Sequence, residues 1–223
     1  MQEIAENLRR IAATLPPTAT LVAVSKYHPE SELEKAYAAG QRDFGESHVQ
    51  ELVRKAAALP ADIRWHFIGH LQRNKVRQLL PHVSLIHSGD SPRLLREVSK
   101  ESVRIGRKTD CLLQVHVAAE ETKFGFTAEE LRLWMAGGEW RQLEGVRLCG
   151  LMCMATNTDD EARIRADFRQ ARQLFEELRT TYFPADEGFS VRSYGMSGDY
   201  AIALEEGSTM VRIGTAIFGE RTY

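Results

Sequence analysis

The chain has 223 residues, of which 43% are hydrophobic and 27% are charged, and its formal net charge is −2. This charge provides no basic field that would attract nucleic acid or an acidic membrane. No apolar run approaches the roughly 18 residues of a membrane span, and three scattered cysteines make no disulfide framework. We therefore expect a cytoplasmic protein with reduced thiols and with neither a nucleic-acid partner nor a membrane partner.

The N-terminal segment predicts an amphipathic helix over about residues 2–15. Ile4, Leu8, Ile11 and Leu15 recur at helical spacing and fall on one face. Charged residues lie among them, which excludes the uninterrupted apolar stretch of a secretory signal. The segment is therefore expected to belong to the folded domain.

From residue 20 onward, short apolar strands alternate with helical patterns. The strands are predicted at 20–25, 43–45, 64–69, 83–87, 110–118, 146–152, 191–195 and 209–213. The helices between them are predicted at 30–39, 47–59, 73–80, 92–105, 128–136, 159–182 and 199–205.

Eight strands that alternate with helices favour a parallel sheet, and the chain is close to the about 250 residues that are typical of a (β/α)8 barrel. We predict an α/β fold, a single-domain (β/α)8 TIM-type barrel that spans residues 1–223. An open doubly wound sheet is the alternative, although no G-x-G-x-x-G motif follows the first strand.

Lys26 follows an apolar strand that runs from Leu21 to Val24. The carboxyl ends of barrel strands surround the active site, so Lys26 is expected at the mouth of the barrel. A lysine in apolar surroundings has a lowered pKa, which keeps its amine neutral and nucleophilic. The alternative is a lysine whose ammonium group simply reaches solvent from the strand end.

Two turns rich in small residues follow the last two strands, "GMSGD" at 195–199 and "RIGT" at 212–215. Barrels often bind phosphate with these two loops, where backbone N–H groups approach an anion. Ser197 and Thr215 add hydroxyl donors; in the alternative interpretation both residues only cap helices. Together with Lys26, the turns predict a carbonyl ligand that carries a phosphate, either a sugar phosphate or pyridoxal 5′-phosphate (PLP).

Seven segments carry a family resemblance: "AVSKYHP" (23–29), "GQRDFGESHVQE" (40–51), "WHFIGHLQRNK" (65–75), "ETKFGF" (121–126), "CGLMCMAT" (149–156), "GMSGDY" (195–200) and "GSTMVRIGTAIFGER" (207–221). As a set they resemble the pyridoxal phosphate homeostasis proteins of the YggS/PROSC family, which are related to the barrel domain of alanine racemase, the type III fold of PLP proteins. The resemblance extends along the whole chain. It implies a protein that binds PLP as an internal aldimine and is a non-catalytic regulator or carrier in vitamin B6 homeostasis.

The resemblance also implies a set of cofactor-binding residues. They are Lys26, Met196, Ser197, Gly198, Arg212, Gly214 and Thr215. In this set Lys26 forms the aldimine and Arg212 faces the pyridine nitrogen. Met196 lies near the ring, and the other four residues bind the phosphate.

Arg212 would set the chemistry of the ring. A guanidinium only donates hydrogen bonds and stays protonated in proteins, so beside the pyridine nitrogen it keeps that nitrogen unprotonated. An unprotonated ring is a weaker electron sink than a pyridinium. The alternative for Arg212 is a surface ion pair with Glu205 or Glu206.

Two positions depart from the family pattern. Ser47 stands where the family usually has Asn, so this chain has a hydroxyl in place of a side-chain amide at that position. Gly198 stands where an acidic residue or His is common, but glycine still offers its backbone N–H.

Two pairs of residues with a spacing of four are predicted neither to bind a metal nor to form a disulfide. His66 and His70 straddle a strand end and a glycine, so their rings need not converge on a metal ion. Cys149 and Cys153 lie about 13 Å apart along a strand, which is too far for a disulfide.

Three functions remain open: a PLP-binding regulator that is not an enzyme, a racemase-like PLP enzyme, and a Schiff-base aldolase without a cofactor. A racemase needs an acid or base on each face of the aldimine, and Tyr194, Tyr200 and Tyr223 are the candidate substitutes for the tyrosine that a second domain supplies in two-domain relatives. The regulator is the preferred interpretation, with PLP-dependent apo-enzymes as candidate recipients. A monomer is expected, because the second domain that forms the racemase dimer is absent.

Overall fold

The structure, a computed structural model, describes residues 2–118 and 124–220. Within those residues, eight parallel strands close into a barrel in sequence order, because the last strand pairs back with the first. The strands are β1 (Thr20–Val24), β2 (Asp43–Glu46), β3 (Arg64–Phe67), β4 (Val83–Gly89), β5 (Thr109–Gln114), β6 (Val146–Met152), β7 (Val191–Met196) and β8 (Met210–Ile213). The predicted (β/α)8 barrel is confirmed, and the open doubly wound sheet is wrong.

Helices surround the barrel. Those described are α1 (Gln2–Ala12), α2 (Glu30–Ala38), α3 (Val49–Ala58), α4 (Val76–Leu79), α5 (Pro92–Arg104), α6 (Ala128–Gly137), α7 (Glu161–Tyr182), α8 (Tyr200–Glu205) and α9 (Thr215–Phe218). Helix α1 packs on α2 and α9 and buries Ile4, Leu8 and Ile11, as its apolar stripe predicts. Among the described helices, none is both long and apolar enough to span a membrane.

Two helices have ends that differ from the predicted ones for local reasons. Helix α1 stops at Ala12 instead of residue 15, shortly before Pro16, which has no N–H to continue the helical ladder. Helix α7 begins after Asp160 instead of at residue 159. The Asp160 carboxylate accepts hydrogen bonds from the N–H groups of Ala162 and Arg163 and so caps this helix.

Strand β5 ends at Gln114 instead of residue 118, because the chain beyond it pairs with a returning loop. The His116 N–H donates to the Phe126 carbonyl at 2.8 Å, and the Phe126 N–H donates to the Gln114 carbonyl at 2.9 Å. The helix predicted at 73–80 is divided into a 3₁₀ turn, Arg73–Lys75, and the single turn of α4. The remaining boundaries differ from the predicted ones by no more than two residues.

The alternation of side chains along each strand decides which residues face the barrel interior. Ser193 and Arg212 point inward from β7 and β8, where they contact each other. Tyr194 points outward, and its ring stacks on Phe168 of α7. Strand order and alternation therefore place an arginine inside the barrel at the carboxyl end of its last strand.

Candidate functional site

A cavity of about 290 Å³ opens at the carboxyl ends of β1, β7 and β8. The structure brings all seven residues of the sequence-predicted site together in its wall: Lys26, Met196, Ser197, Gly198, Arg212, Gly214 and Thr215. Ser47 also lines the cavity, from the loop after β2. These residues come from the two ends of the chain, and the pairing of β1 with β8 is what makes them neighbours.

Lys26 lies two residues after the end of β1, in a tight turn. The next residue, Tyr27, has a φ of 68°, which is uncommon for a residue other than glycine. The His28 N–H donates to the Ser25 carbonyl at 3.1 Å and closes the turn. Lys26 is half-buried and lines the cavity at the barrel mouth.

A buried ion cluster holds the backbone on both sides of Lys26. The Lys55 ammonium donates to the Ser25 carbonyl, to Glu46 Oε1 and to Glu51 Oε1, each at 2.8 Å. The Ser25 hydroxyl donates to Glu46 Oε1 at 2.6 Å, and Glu51 Oε1 accepts from the Tyr27 N–H at 2.7 Å. Burial raises the pKa of Glu46 to about 7, against the opposing effect of Lys55. The cluster therefore fixes the turn from which the Lys26 side chain extends.

The two predicted phosphate-binding turns touch each other beside Lys26. The Gly214 N–H donates to Ser197 Oγ at 3.3 Å. A Cβ at Gly214 would lie 3.1 Å from the Val24 carbonyl oxygen, so a larger residue would push this turn a few tenths of an ångström away from β1. A Cβ at Gly198 would meet nothing within 4 Å. The turns thus offer backbone N–H groups and the hydroxyls of Ser197 and Thr215 to one small volume.

Arg212 is buried, with 4% of its surface exposed, and its hydrogen-bond acceptors are neutral. One guanidinium nitrogen, Nη1, donates to the Ser193 carbonyl and hydroxyl oxygens, both at 2.6 Å. The other, Nη2, donates to the Cys153 carbonyl at 2.9 Å. Burial lowers the pKa of Arg212, but a guanidinium remains protonated in proteins. A buried cation with neutral partners therefore lines the cavity.

The ion pair considered for Arg212 is wrong. The Glu205 carboxylate binds Arg165 at 2.6 Å, and the Glu206 carboxylate binds Arg169 at 2.9 Å. Both arginines belong to α7, outside the barrel, whereas Arg212 faces the inside.

Two of the three tyrosines considered as acid/base groups do not line the cavity. The Tyr194 side chain is packed against α7, and its hydroxyl has no hydrogen-bond partner among the described residues. The Tyr200 hydroxyl lies 3.3 Å from Thr14 Oγ1, near the end of α1. These two assignments are wrong, and Tyr223 lies outside the described residues.

His66 and His70, which are spaced by four residues, have different hydrogen-bond partners. His66 Nδ1 lies 2.9 Å from His87 Nε2 inside the barrel. His70 instead bonds to Asp90 at 2.9 Å. Cys149 and Cys153 are both buried, and both have free thiols.

Sequence reasoning missed the apolar wall of the cavity. Val24, Ile68, Met152 and Met154 supply it. All four residues lie at, or one or two residues beyond, the carboxyl ends of β1, β3 and β6, and inward alternation in β1 and β6 was the signal that could have found Val24 and Met152. The apolar wall and the polar turns together resemble the lining of an organic anion site.

Comparisons with known proteins agree with this geometry. The family model for the N-terminal domain of alanine racemase matches residues 1–222. The pyridoxal phosphate homeostasis protein of Aquifex aeolicus (strain VF5) is 40% identical over 207 residues, which cover 92% of this chain and 88% of that protein. The chain belongs to the pyridoxal phosphate homeostasis protein family. The family resemblance found in the sequence is confirmed.

Solved structures extend the comparison. PipY of Synechococcus elongatus PCC7942, solved with PLP bound, has a TM-score of 0.88 and 38% identity, and the match covers 97% of this chain and 100% of that one. Alanine racemase of Clostridium difficile 630 has a TM-score of 0.75 at 14% identity, and the match covers 57% of that chain. At that identity the racemase shares the barrel fold alone.

The residues of the cavity fit the chemical groups of PLP. Lys26 supplies an amine for the aldehyde, and the turns at Ser197 and Gly214 supply donors for the phosphate. The guanidinium of Arg212 has five N–H groups, and its bonds to Ser193 and Cys153 use three of them. Donors therefore remain for an acceptor such as a pyridine nitrogen.

Proposed function

We propose that this protein binds PLP in the cavity as an internal aldimine on Lys26 and acts as a non-catalytic carrier or regulator in intracellular PLP homeostasis. One observation carries the proposal. A single cavity combines the Lys26 amine, the two donor-rich turns and a buried arginine whose partners are neutral. The PLP bound to the PipY relative, at 38% identity, supports it.

Lys26 holds the cofactor covalently. Its amine would condense with the PLP aldehyde, with formation of a C=N bond and release of water. The buried cluster under the turn supports this role, because it fixes the peptide groups on both sides of Lys26 through Ser25 and Tyr27. When bound, PLP supplies an electron sink and an aldehyde that reacts with amines.

The two turns bind the phosphate. Ser197 and Thr215 donate hydroxyl hydrogen bonds, and the backbone N–H groups of Gly198 and Thr215, which line the same cavity, add further donors. Hydrogen bonds to a charged acceptor contribute about 1.5–3 kcal/mol each. The phosphate is therefore expected to supply much of the affinity for PLP.

Arg212 makes the site better suited to holding PLP than to catalysis. As a donor beside the pyridine nitrogen, it keeps that nitrogen unprotonated and the electron sink weak. The positions of Tyr194 and Tyr200, turned away from the cavity, support the same conclusion, because a racemase needs a second acid or base. A positioned acid or base contributes about 10²–10⁴-fold to a rate.

The proposal also includes the setting in which the protein acts. Three buried and unbridged cysteines, Cys111, Cys149 and Cys153, are compatible with a reducing cytoplasm. There the protein would act as a monomer that shields the reactive aldehyde of PLP and releases it to PLP-dependent apo-enzymes.

A titration with PLP tests the proposal. The wild-type protein is expected to develop the visible absorbance of an aldimine and to lose it on borohydride reduction. Lys26→Ala should develop none, while Lys100→Ala, which removes an ammonium group on the exposed face of α5, should behave like the wild type. A protein that stays colourless would overturn the proposal in favour of a cofactor-free aldolase.

A further inference from the structure

A continuous chain of buried hydrogen bonds leads from the candidate PLP site into the barrel. The Arg212 guanidinium bonds to Ser193 Oγ at 2.6 Å, and Ser193 Oγ lies 3.0 Å from His87 Nδ1. His87 Nε2 lies 2.9 Å from His66 Nδ1, and His66 Nε2 lies 3.0 Å from Asp43 Oδ1. Arg212, Ser193, His87 and His66 are all buried, so water does not compete for these bonds.

The chain crosses the barrel from one end to the other. Arg212 lines the cavity at the carboxyl end, whereas Asp43 is the first residue of β2 and lies at the opposite end. There its carboxylate is paired with the exposed Arg64, with bonds of 2.7 and 2.6 Å. The residues of this hydrogen-bond chain belong to β8, β7, β4, β3 and β2. The hydrogen-bond chain therefore links five strands of the barrel to the candidate PLP site.

The protonation of Asp43 and His87 determines which atom donates in each of these hydrogen bonds. Burial raises the pKa of Asp43, but the hydrogen bonds from His66 and Arg64 outweigh it and hold the pKa below its usual value. An ionised carboxylate only accepts, so His66 carries its proton on Nε2. Burial lowers the pKa of His87 well below its usual range, so His87 is neutral.

With His66 Nδ1 as an acceptor, His87 donates through Nε2 and accepts through Nδ1. The Ser193 hydroxyl therefore donates to His87, and its lone pairs accept from Arg212. In the opposite arrangement His87 would donate to Ser193 Oγ through Nδ1. Ser193 Oγ would then face two donors, His87 and Arg212, and neither would accept its proton. All bonds thus run from the Arg212 cation to the Asp43 anion.

We propose that this chain positions the Arg212 guanidinium for the ring nitrogen of PLP, which makes Ser193, His87 and His66 positioning residues of the cofactor site. The inference rests on the proposed function, since it requires PLP in the cavity. Hydrogen bonds that run in one direction polarise and strengthen one another. Ser193 Oγ is therefore a stronger acceptor for Arg212 than an isolated hydroxyl would be, and it holds the plane of the guanidinium fixed.

The two terminal nitrogens of the Arg212 guanidinium are held by different hydrogen-bond partners. The Cys153 carbonyl holds Nη2 at 2.9 Å, and the chain holds Nη1 through Ser193. Without the chain, the Ser193 hydroxyl is free to turn, and Nη1 keeps only the Ser193 carbonyl as its orienting partner. The remaining N–H groups then no longer point at one position in the cavity.

The test compares PLP with 1-deaza-PLP, in which a C–H group replaces the ring nitrogen. The variants are His87→Leu and Ser193→Ala, each checked by circular dichroism for a folded barrel. Ser88→Ala is the matched control, because Ser88 is the buried neighbour of His87 in β4 and its hydroxyl has no partner among the described residues. His87→Asn retains an acceptor near Ser193 and should restore part of the effect.

We expect both chain variants to raise the Kd of PLP about tenfold and to change the Kd of 1-deaza-PLP less than about twofold, with no effect of Ser88→Ala. Equal weakening of both ligands would mean a merely structural role and would overturn the inference, as would an unchanged Kd of PLP. Borohydride labelling of wild-type Lys26 separates the two claims. If PLP is not attached to Lys26, the proposed function is wrong. If PLP is attached there and the ratio of the Kd values of PLP and 1-deaza-PLP is the same in the variants as in the wild type, only the inference about the hydrogen-bond chain is wrong.

Discussion

The Lys55 ammonium lies 2.8 Å from Glu46 Oε1, and both side chains are fully buried in the wall between β2 and α3. A buried ion pair carries a large desolvation penalty, which its mutual attraction and further hydrogen bonds must offset. Here the further bonds go to Ser25 and Glu51, which border the turn of Lys26. The pair therefore connects the stability of the barrel to the geometry of the proposed PLP lysine.

Replacing Lys55 by Met should leave the Glu46 carboxyl buried without its cation. Loss of one partner of a buried pair costs about 3–5 kcal/mol, so the free energy of unfolding from urea denaturation should fall by that amount. Arg54→Met is the matched control, since Arg54 is the exposed neighbour of Lys55 and pairs with Glu30. Loss of an exposed pair should cost less than about 1 kcal/mol. Equal effects of the two variants would contradict the role of the buried pair.

The pH dependence of stability should contain a contribution from Glu46. Burial raises its folded-state pKa from an ordinary 4.5 to about 7, and its second oxygen has no hydrogen-bond partner among the described residues. Because the folded protein holds this proton more tightly than the unfolded chain, the contribution is fully present below pH 4.5. It should be lost as the pH rises to and above about 7.

The measurement is urea denaturation of wild type and Glu46→Gln at a series of pH values. The difference between their free energies of unfolding should change by on the order of 1–3 kcal/mol between pH 4.5 and 8, with Gln relatively more favourable at high pH. A difference that stays constant across this range would mean that Glu46 titrates alike in the folded and unfolded protein.

The phosphate turns should decide the affinity for PLP. The double variant Ser197→Ala with Thr215→Val removes two hydroxyl donors, so the Kd of PLP from a fluorescence titration should rise at least tenfold. Pyridoxal, which lacks the phosphate, is the control ligand and should bind both proteins with similar, weak affinity. If pyridoxal binds the wild type as tightly as PLP does, the assignment of the turns is wrong.

Amino acids should not be turned over at an enzyme-like rate. The proposed site combines a weak electron sink at Arg212 with tyrosines that face away from the cavity. With PLP-loaded protein and each enantiomer of the common amino acids, racemisation, transamination and decarboxylation should all stay well below about 1 s⁻¹. A faster reaction would favour the racemase-like enzyme. Transfer of PLP to an apo-enzyme, measured by its regained activity, would support the carrier role.

The barrel could be predicted from the sequence because its evidence is local. Alternation of apolar strands and helical patterns depends on residues close in the chain, and the order of elements limits the parallel sheets that can form. The end of β5 was mispredicted because the segment after Gln114 pairs with Phe126 across a loop. Such pairing has no signature in the strand itself.

The cavity residues were found through motifs, but the groups that support them were not. Lys55 lies among alanines in a helix with charged neighbours, a pattern that is typical of an exposed face, yet it is fully buried. The contact of His66 with His87 depends on the register between β3 and β4, which includes an irregularity after Trp65. Sequence periodicity indicates which side of a strand is inside, but not which inward side chains meet.

The site of attachment of PLP tests the account most directly. PLP-loaded protein is reduced with borohydride, digested and analysed by peptide mass spectrometry. The account predicts a phosphopyridoxyl group on the peptide that contains Lys26, and its absence from Lys26→Ala. A stoichiometric adduct on another lysine, such as Lys35 or Lys123, with Lys26 unmodified, would contradict it.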